Sequence, residues 1–253
     1  MICISCRYFE VAELLLSPGR QPWELGLKWS SPDRDDNYML LIPVKNLVNA
    51  KQRLSLVLDQ PERTLLAQTM LLDVVTAVAD SNTEVSLVTN DPYTLELAQQ
   101  FHFEVIQETS NPGETGAIEI ATLVCENRGI ESTIVIPADI PLIQSDELDL
   151  VIAAAPEEGT VIVPASDGRG TNAILRNPAG LFPLRFGNDS FKPHHAAACA
   201  TGKPCIVLSF PGIGLDIDNP SDLISLACAA GETRSQLLVR KWGFASYPIA
   251  ANF

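Results

Sequence analysis

The chain has 253 residues, which is enough to bury one substantial hydrophobic core. Its formal net charge of −14 excludes an ordinary nucleic-acid-binding protein, because a phosphate backbone requires a basic face. No apolar run approaches the roughly 18 residues that span a bilayer, so we expect no membrane partner. The six cysteines show no repeated metal-ligand spacing, and we interpret them as reduced, buried thiols of a cytoplasmic protein.

The first 38 residues differ from the rest of the chain. They hold two of the three tryptophans, several prolines and a charged run at 33–36, without any sustained periodicity. A signal peptide is excluded because a basic start is missing and Glu10 and Glu13 interrupt the apolar stretch. We expect residues 1–38 to be a disordered extension or a mis-called start, and residues 39–253 to form a single domain that begins functionally at Met39.

From Met39 onward, short apolar runs alternate with helical patterns. The strands are predicted at 39–43, 85–89, 103–106, 133–137, 160–164, 172–176 and 205–209. The helices are predicted at 61–80, 93–101, 116–128, 145–155, 192–201 and 220–230. This alternation predicts an α/β fold with a doubly wound, mostly parallel sheet and helices on both faces. In such sheets the functional site lies beyond the carboxyl ends of the strands. Polar residues that directly follow strands are therefore the main candidates for functional residues.

The loop after the first strand concentrates positive charge in an acidic chain. Lys45, Lys51 and Arg53 lie within nine residues. A triphosphate is stabilised by such cations together with backbone N–H groups from the same loop. The alternative is a solvated basic loop, and the position after the first strand favours phosphate binding. The loop is not a Walker A motif, because the required glycine pattern is absent.

A single carboxylate follows the most apolar strand. Ile134-Val135-Ile136 predicts a buried strand, and Asp139 comes where that strand ends, between Pro137 and Pro141. An aspartate in this position often caps the next helix. Because Ser145 is available as the cap here, we predict that Asp139 is free for another task.

A second acidic element precedes the last predicted helix. Asp216 and Asp218 alternate in sequence, which predicts that both lie on one side of a short strand. Asn219 or Ser221 can cap the helix, so at least one aspartate is spare. Carboxylates from two distant strands that converge on Mg²⁺, with substrate phosphates completing the octahedron, are a common arrangement for that ion.

Three polar turns complete the set of candidates. The turns around Thr171 and around Gly187 to Ser190 offer hydroxyls and exposed N–H groups suited to a phosphate or carboxylate, although each alone is an ordinary turn. The turn that contains Gly113 and Glu114 is a candidate to contact a base or ribose. His194 and His195 begin a helix near Ser190 and are candidates to contact an anionic ligand.

Taken in order, these motifs resemble one family. They are Ile42-Pro43-Val44-Lys45 with Ala50-Lys51-x-Arg53-Leu54, Pro137-Ala138-Asp139-Ile140-Pro141-Leu142, Gly170-Thr171-Asn172, Phe186-Gly187-x-x-Ser190-Phe191 and Asp216-Ile217-Asp218-Asn219-Pro220-x-Asp222-Leu223. As a set they are similar to the 2-phospho-L-lactate or phosphoenolpyruvate guanylyltransferases of coenzyme F-420 biosynthesis, which are relatives of the molybdenum-cofactor guanylyltransferases. The resemblance runs from Met39 to about residue 230.

The resemblance implies a nucleotidyltransferase domain over 39–253 with a nucleotide-diphospho-sugar transferase-like fold. It implies that Asp139 and Asp218 hold Mg²⁺, with Asp216 as a neighbour or substitute. Thr171, Gly187 and Ser190 would bind a small phosphorylated carboxylic acid, and Lys45, Lys51 and Arg53 would face the phosphates of GTP. The sequence departs from the family at 113–119, where many relatives carry a Gly-Leu-Asn-Ala type segment.

The expected reaction joins GMP from GTP to the phosphate of the acid and releases pyrophosphate. The acceptor is expected to be phosphoenolpyruvate or 2-phospho-L-lactate, with 3-phospho-D-glycerate as an alternative. A sugar-nucleotide or molybdopterin nucleotidyltransferase is the alternative within the fold, and a nucleotide-binding regulatory module is the alternative without turnover. The oligomeric state is not readable from the sequence, and a homodimer is one option.

Overall fold

The computed structural model describes residues 6–8, 38–81, 83–107, 113–187 and 189–246. Of the first 37 residues only 6–8 are described, so most of the expectation that residues 1–38 are an extension or a mis-called start lies outside the described residues. Residues 6–8 form a strand that pairs with the main sheet. Among those that are described, no helix is both long and apolar enough to span a membrane. Cys125 and Cys205 are buried free thiols, as expected, whereas Cys228 is exposed and Cys199 is disulfide-bonded.

One sheet of eight strands forms the centre of the described structure, in the order β1-β8-β6-β7-β5-β2-β3-β4. The strands are β1 (Cys6–Tyr8), β2 (Tyr38–Val44), β3 (Glu84–Thr89), β4 (Glu104–Ile106), β5 (Ser132–Val135), β6 (Gly159–Pro164), β7 (Thr171–Asn177) and β8 (Cys205–Val207). Strand β7 runs antiparallel to β5 and β6, and every other pair is parallel. The predicted mostly parallel α/β sheet is therefore confirmed.

Seven α-helices flank the sheet in the described part of the chain. They are α1 (Gln60–Ala79), α2 (Pro92–Phe101), α3 (Gly113–Asn127), α4 (Ser145–Ala153), α5 (Phe191–Ala200), α6 (Pro220–Cys228) and α7 (Arg234–Lys241). Each predicted helix overlaps one of the first six. The seventh was not predicted, although Thr233 and Gln236 form a capping box at its start.

The side chains of β2 point alternately to the two faces of the sheet and contribute to a separate apolar cluster on each face. Leu40 and Ile42 pack with residues of α1, α2 and α4, whereas Met39 and Leu41 pack with residues of α3 and α5. All four side chains are at most 2% exposed. Because β2 is covered on both faces, its sequence is a continuous apolar run. Polar groups can face a ligand only where the strand ends.

A third apolar cluster holds the loops of the site together. It joins Leu54 and Leu58 from the loop after β2, Leu66 and Met70 from α1, and Ile217 from the loop before α6, all at most 4% exposed. Two loops that are far apart in sequence are therefore fixed against the same helices at one end of the sheet.

Candidate active site

The cationic loop after β2 is folded into two single-turn 3-10 helices, Leu47–Asn49 and Gln52–Leu54. The backbone N–H of Leu47 donates to Oδ2 of Asp91 at 3.1 Å, and Asp91 also caps α2. Lys51, between the two turns, adopts a left-handed conformation with φ 56°, which is uncommon for a residue other than glycine. Strained backbone of this kind concentrates at ligand sites, where the surrounding fold holds it in place.

Asp139 lies where β5 ends, as the sequence predicted. The N–H of Ile136 donates to the carbonyl of Leu41 at 3.2 Å and continues the pairing with β2 just past the end of β5. The cap of α4 is Gln144, and Ser145 is the first helical residue, so the predicted cap is wrong by one position. The prediction that Asp139 does not cap this helix still holds, because its carboxylate contacts Lys51.

The loop that carries Asp216 and Asp218 is irregular backbone and not the predicted strand. The alternation still holds, because Ile217 is fully buried between the two aspartates. The N–H of Ile217 donates to the backbone carbonyl of Asp139 at 3.1 Å, which ties this loop to the end of β5. The two acidic elements are therefore adjacent through their main chains as well as their side chains.

A buried carboxylate on α4 strengthens this connection. Glu147 accepts hydrogen bonds from the N–H groups of Gly212, at 2.8 Å, and Ile213, at 3.0 Å. Burial raises the pKa of Glu147, and the hydrogen bonds that it accepts from the backbone oppose that rise. The turn at 211–214, which leads into the acidic loop, is thereby fixed to the helix that follows Asp139.

One ammonium group lies between the two aspartates. Nζ of Lys51 contacts Oδ2 of Asp139 and donates to Oδ1 of Asp218 at 3.0 Å, and Nη1 of Arg53 donates to Oδ2 of Asp218 at 3.1 Å. The Lys51 side chain is only 9% exposed. Carboxylates that arise after β5 and before α6 thus converge on a single cation.

These contacts set the charge of the cluster. Burial by itself would lower the pKa of Lys51, but the charges and hydrogen bonds of Asp139 and Asp218 outweigh it and the pKa is raised. Burial by itself would raise the pKa of Asp218, but Lys51 and Arg53 outweigh it and the pKa is lowered. Lys51 is therefore held protonated and Asp218 ionised.

The donor set fits a divalent cation. The contacts of Asp139 and Asp218 to one Nζ show that an oxygen of each carboxylate reaches the same point, and hard cations such as Mg²⁺ take oxygen ligands. Asp216 lies to one side, where its Oδ1 accepts from the amide of Asn172 at 3.1 Å. Burial, followed by the charges of the other aspartates, raises the pKa of Asp216 against this hydrogen bond. Within the described residues no group of three or more acidic, histidine or cysteine side chains forms a metal cluster.

A cavity of about 450 Å³ lies on the side of the cationic loop. It is lined by Lys45, Lys51 and Arg53, by Glu114 at the start of α3, and by both aspartates. Gly113 has φ +83°, and a Cβ there would lie 3.8 Å from Nζ of Lys45. Burial raises the pKa of Glu114, and the charge of Asp139 adds to this while Lys45 and Lys51 oppose it. Four of the five predicted nucleotide-binding residues thus line one space, and the fifth, Gly113, lies beside Lys45.

A second cavity, of about 690 Å³, lies on the side of β7 and α5. The predicted acceptor residues Thr171, Gly187 and Ser190 line it, together with Asn172 and Asp216. The two cavities share five lining residues, which are Arg53, Glu114, Pro137, Asp139 and Asp218. The aspartate pair therefore stands at the boundary between the two spaces.

His194 lies behind the second cavity, where it contacts protein groups in place of the ligand contact that the sequence predicted. His194 was a candidate to contact an anionic ligand directly, but it is 1% exposed and contacts protein groups. Its Nε2 accepts from the N–H of Arg185 at 2.8 Å, and its Nδ1 lies 3.0 Å from Oγ1 of Thr171. The ring also packs edge-on against Phe186. Burial, and then the charge of Arg176, lowers the pKa of His194 to about 4.

Comparison with known proteins decides the family. A family model described as "Guanylyl transferase CofC like" matches residues 38–251. This chain belongs to that family. A phosphoenolpyruvate guanylyltransferase of Roseiflexus castenholzii is 33% identical over 80% of this chain and 93% of the relative. A 2-phospho-L-lactate guanylyltransferase of Methanothermobacter thermautotrophicus is 31% identical over 82% of this chain and 92% of the relative.

Solved structures agree on the fold of this family member. A putative nucleotide-diphospho-sugar transferase from Desulfovibrio desulfuricans has a TM-score of 0.70 at 15% identity and covers 84% of this chain and 98% of its own. A CMP:2-keto-3-deoxy-manno-octonic acid synthetase complexed with CTP has a TM-score of 0.53 at 13% identity and covers 81% of this chain and 99% of its own. The predicted nucleotidyltransferase fold and the predicted family are both confirmed, and the chain is a guanylyltransferase.

Proposed function

We propose that this guanylyltransferase joins GMP from GTP to a phosphorylated three-carbon acid in coenzyme F-420 biosynthesis, with phosphoenolpyruvate as the favoured acceptor. The observation that carries the proposal is the pair of cavities that meet at Asp139 and Asp218. The cationic cavity suits a nucleoside triphosphate, and the cavity lined by hydroxyls suits a smaller anion. Their common border is where the α-phosphorus and the attacking oxygen would meet.

The choice of acceptor rests on the relatives. One is named for phosphoenolpyruvate and another for 2-phospho-L-lactate. These acids and 3-phospho-D-glycerate all carry a phosphate and a carboxylate, and a few atoms distinguish them. Thr171, Gly187 and Ser190 supply hydroxyl and backbone donors that suit either anionic group. We therefore propose these three residues as the acceptor-binding set.

The proposed mechanism needs no general base. A phosphate oxygen of the acceptor is already anionic at neutral pH and attacks the α-phosphorus of GTP in line. The new P–O bond forms as the bond to the β-phosphate bridging oxygen breaks, and pyrophosphate leaves with that electron pair. Lys45, Lys51 and Arg53 neutralise the phosphate charge, while the turn at Gly113 and Glu114 positions the nucleotide.

We propose Mg²⁺ as the cofactor, held by Asp139 and Asp218 with Asp216 close by. When bound, the ion supplies charge neutralisation at the α-phosphate and orients the phosphates. Asp139 and Asp218 act as charge carriers in this scheme, and not as acid or base. The absence of an activated nucleophile or a catalytic dyad from the described site agrees with such a reaction.

The test is a pyrophosphate-release assay with GTP or ATP and, in separate reactions, each of the three acids, a sugar phosphate or molybdopterin. Mass analysis of the product from a mixture of the three acids follows. Release that depends on GTP, Mg²⁺ and phosphoenolpyruvate, with a product that joins GMP to that acid, is expected. Turnover with only a sugar phosphate or molybdopterin would overturn the acceptor class. GTP binding without release under every condition would instead support a regulatory module.

A further inference from the structure

The second cavity, called the acceptor cavity from here on, is lined by two hydroxyl groups that are already engaged in hydrogen bonds with the protein. Oγ of Ser190 accepts from the backbone N–H of Thr171 at 3.0 Å. Oγ1 of Thr171 lies 3.0 Å from Nδ1 of His194. Ser190 and Thr171 are 4% and 6% exposed, and both line the cavity. The direction of the second hydrogen bond decides whether the Thr171 hydroxyl can donate its proton to a ligand.

The tautomer of His194 follows from its other neighbour. The N–H of Arg185 can only donate, so Nε2 of His194 must accept and carries no proton. A neutral imidazole then has its proton on Nδ1. The lowered pKa of His194 agrees with a neutral ring at pH 7. Nδ1–H therefore donates to Oγ1 of Thr171.

We propose that His194 is a positioning residue for acceptor binding, because it directs the hydroxyl proton of Thr171 into the acceptor cavity. With its oxygen engaged by Nδ1–H, the Thr171 hydroxyl presents its own proton to the ligand, and Ser190 does the same because its oxygen is engaged by the Thr171 N–H. Neither hydroxyl donates to another of the described residues.

The consequence is a pair of donors with a fixed direction. Two hydroxyls that present protons suit a group with acceptors only, such as a fully ionised phosphate or carboxylate, and disfavour an N–H donor at the same place. His194 touches neither substrate in this scheme, since it acts through Thr171. This inference rests on the proposed function, which assigns Thr171 to the acceptor.

A matched pair of substitutions separates the two hydrogen bonds of His194. In His194→Asn the side-chain amide nitrogen takes the place of Nδ1 and keeps a donor toward Thr171. In His194→Gln the longer side chain keeps an acceptor for the Arg185 N–H but loses the donor toward Thr171. We expect His194→Gln to raise the KM for the phosphorylated acid about tenfold, the value of one hydrogen bond to a charged group, with the KM for GTP unchanged. His194→Asn should stay close to the wild type.

Thr171→Val provides the control that separates this inference from the proposed function. If Thr171→Val leaves the KM for the acid unchanged, the assignment of the acceptor cavity is wrong. If Thr171→Val raises it, His194→Gln must add nothing further in the Thr171→Val background. An additive effect, or an equal rise in the KM for GTP, would identify a purely structural role for His194 and overturn the inference.

A spectroscopic measurement on the unaltered protein covers the case in which a variant fails to fold. Nitrogen NMR shifts of the labelled histidine ring distinguish the two neutral tautomers and the charged ring. At pH 7 we expect His194 to carry its proton on Nδ1 alone. A neutral ring with its proton on Nε2 would have no Nδ1–H to donate to Thr171 and would contradict the proposal.

Discussion

Asp139 and Asp218 differ from the many other acidic residues of this chain because they share one buried cation. Lys51 lies between them, with Arg53 on the outer side of Asp218. At the scale of single residues, we expect the loss of one charge from this cluster to change both turnover and stability.

Replacement of Asp139 by Asn tests the proposed metal role. The amide keeps the shape but removes the charge, so we expect turnover to fall about a hundredfold or more, since several kcal/mol of transition-state stabilisation is at stake. The fold should be kept, and a circular dichroism melt checks this. Asp146→Asn, an exposed acid on α4, is the matched control and should leave the rate unchanged. A wild-type rate in Asp139→Asn would refute the assignment.

Lys51→Met tests the cation itself, through stability and not through rate. The substitution removes the ammonium group between Asp139 and Asp218 and leaves Arg53 as the remaining cation on Asp218. We therefore expect the free energy of unfolding at pH 7 to fall by about 1–3 kcal/mol. Denaturant titration measures the change. Lys192→Met, at an exposed lysine of α5, serves as the control and should change stability little.

The pH dependence of that difference follows from the directions of the two pKa shifts. Asp218 has a lowered pKa, so its contribution is present above its unfolded value of 3.8 and disappears as the pH falls through its folded pKa. Lys51 has a raised pKa, so its contribution is present below 10.5 and disappears as the pH rises through its folded pKa. The difference between wild type and Lys51→Met should therefore be largest between about pH 4 and pH 10 and shrink on either side. An equal difference at pH 3 and pH 7 would contradict this account.

Much of the site could be predicted residue by residue, because polar groups that follow strands of a parallel sheet meet at one edge. That rule selects Lys45, Lys51 and Asp139 from the sequence. Asp216 and Asp218 are selected by their alternation ahead of a predicted helix. His194 was placed near the site but with the wrong contact, since its burial depends on residues nine and 23 positions away. Hydrogen bonds across such distances leave no pattern in a sequence.

At the scale of elements, the end of the sheet is held together by the turn at 211–214. Gly212 has no room for a side chain, because a Cβ would lie 2.3 Å from the carbonyl oxygen of Leu142 and 2.4 Å from Oε2 of Glu147. The turn therefore packs directly on the segment that joins Asp139 to α4. This contact fixes the position of the loop that follows, which carries Asp216 and Asp218.

Gly212→Ala is expected to push this turn away from α4. We expect a loss of about 1–3 kcal/mol of stability, as for overpacking elsewhere, together with a clear loss of turnover because Asp216 and Asp218 move. Gly202→Ala is the matched control: its Cβ would meet nothing within 4 Å, so only its positive φ matters and turnover should be kept. Equal turnover in the two variants would show that the turn does not set the geometry of the acidic loop.

The elements themselves were largely predictable, since their periodicity is strong. The stripe of Leu66, Met70, Val74 and Val78 on α1 is at most 1% exposed, as its spacing indicated. The direction of β7 was not predictable, because an apolar run has the same composition whichever way it runs. Helix α7 was missed because its residues are mostly polar, so only its capping box marked it.

At the scale of the whole molecule, the three apolar clusters of the described part of the chain lie within residues 38–246. All the proposed site residues also lie in this range, and the family model begins at residue 38. The order of the strands could not be read from the sequence, because pairing between distant strands is decided by which faces can be covered. The start of the domain at Met39 stays a prediction, which rests on the point where the sustained alternation begins.

We propose that a chain beginning at Met39 still folds and acts as a guanylyltransferase, although it lacks the edge strand β1 that pairs with β8. It keeps both faces of β2 covered and both sides of the aspartate pair, so a single cooperative unfolding transition and near wild-type turnover are expected. A chain beginning at Val44 is the matched control, since it lacks most of β2 and should not fold. Calorimetry and the pyrophosphate-release assay measure both, and mass spectrometry of the native N-terminus shows which start is used. Loss of the cooperative transition in the Met39 chain would show that residues 1–38 are an integral part of the fold.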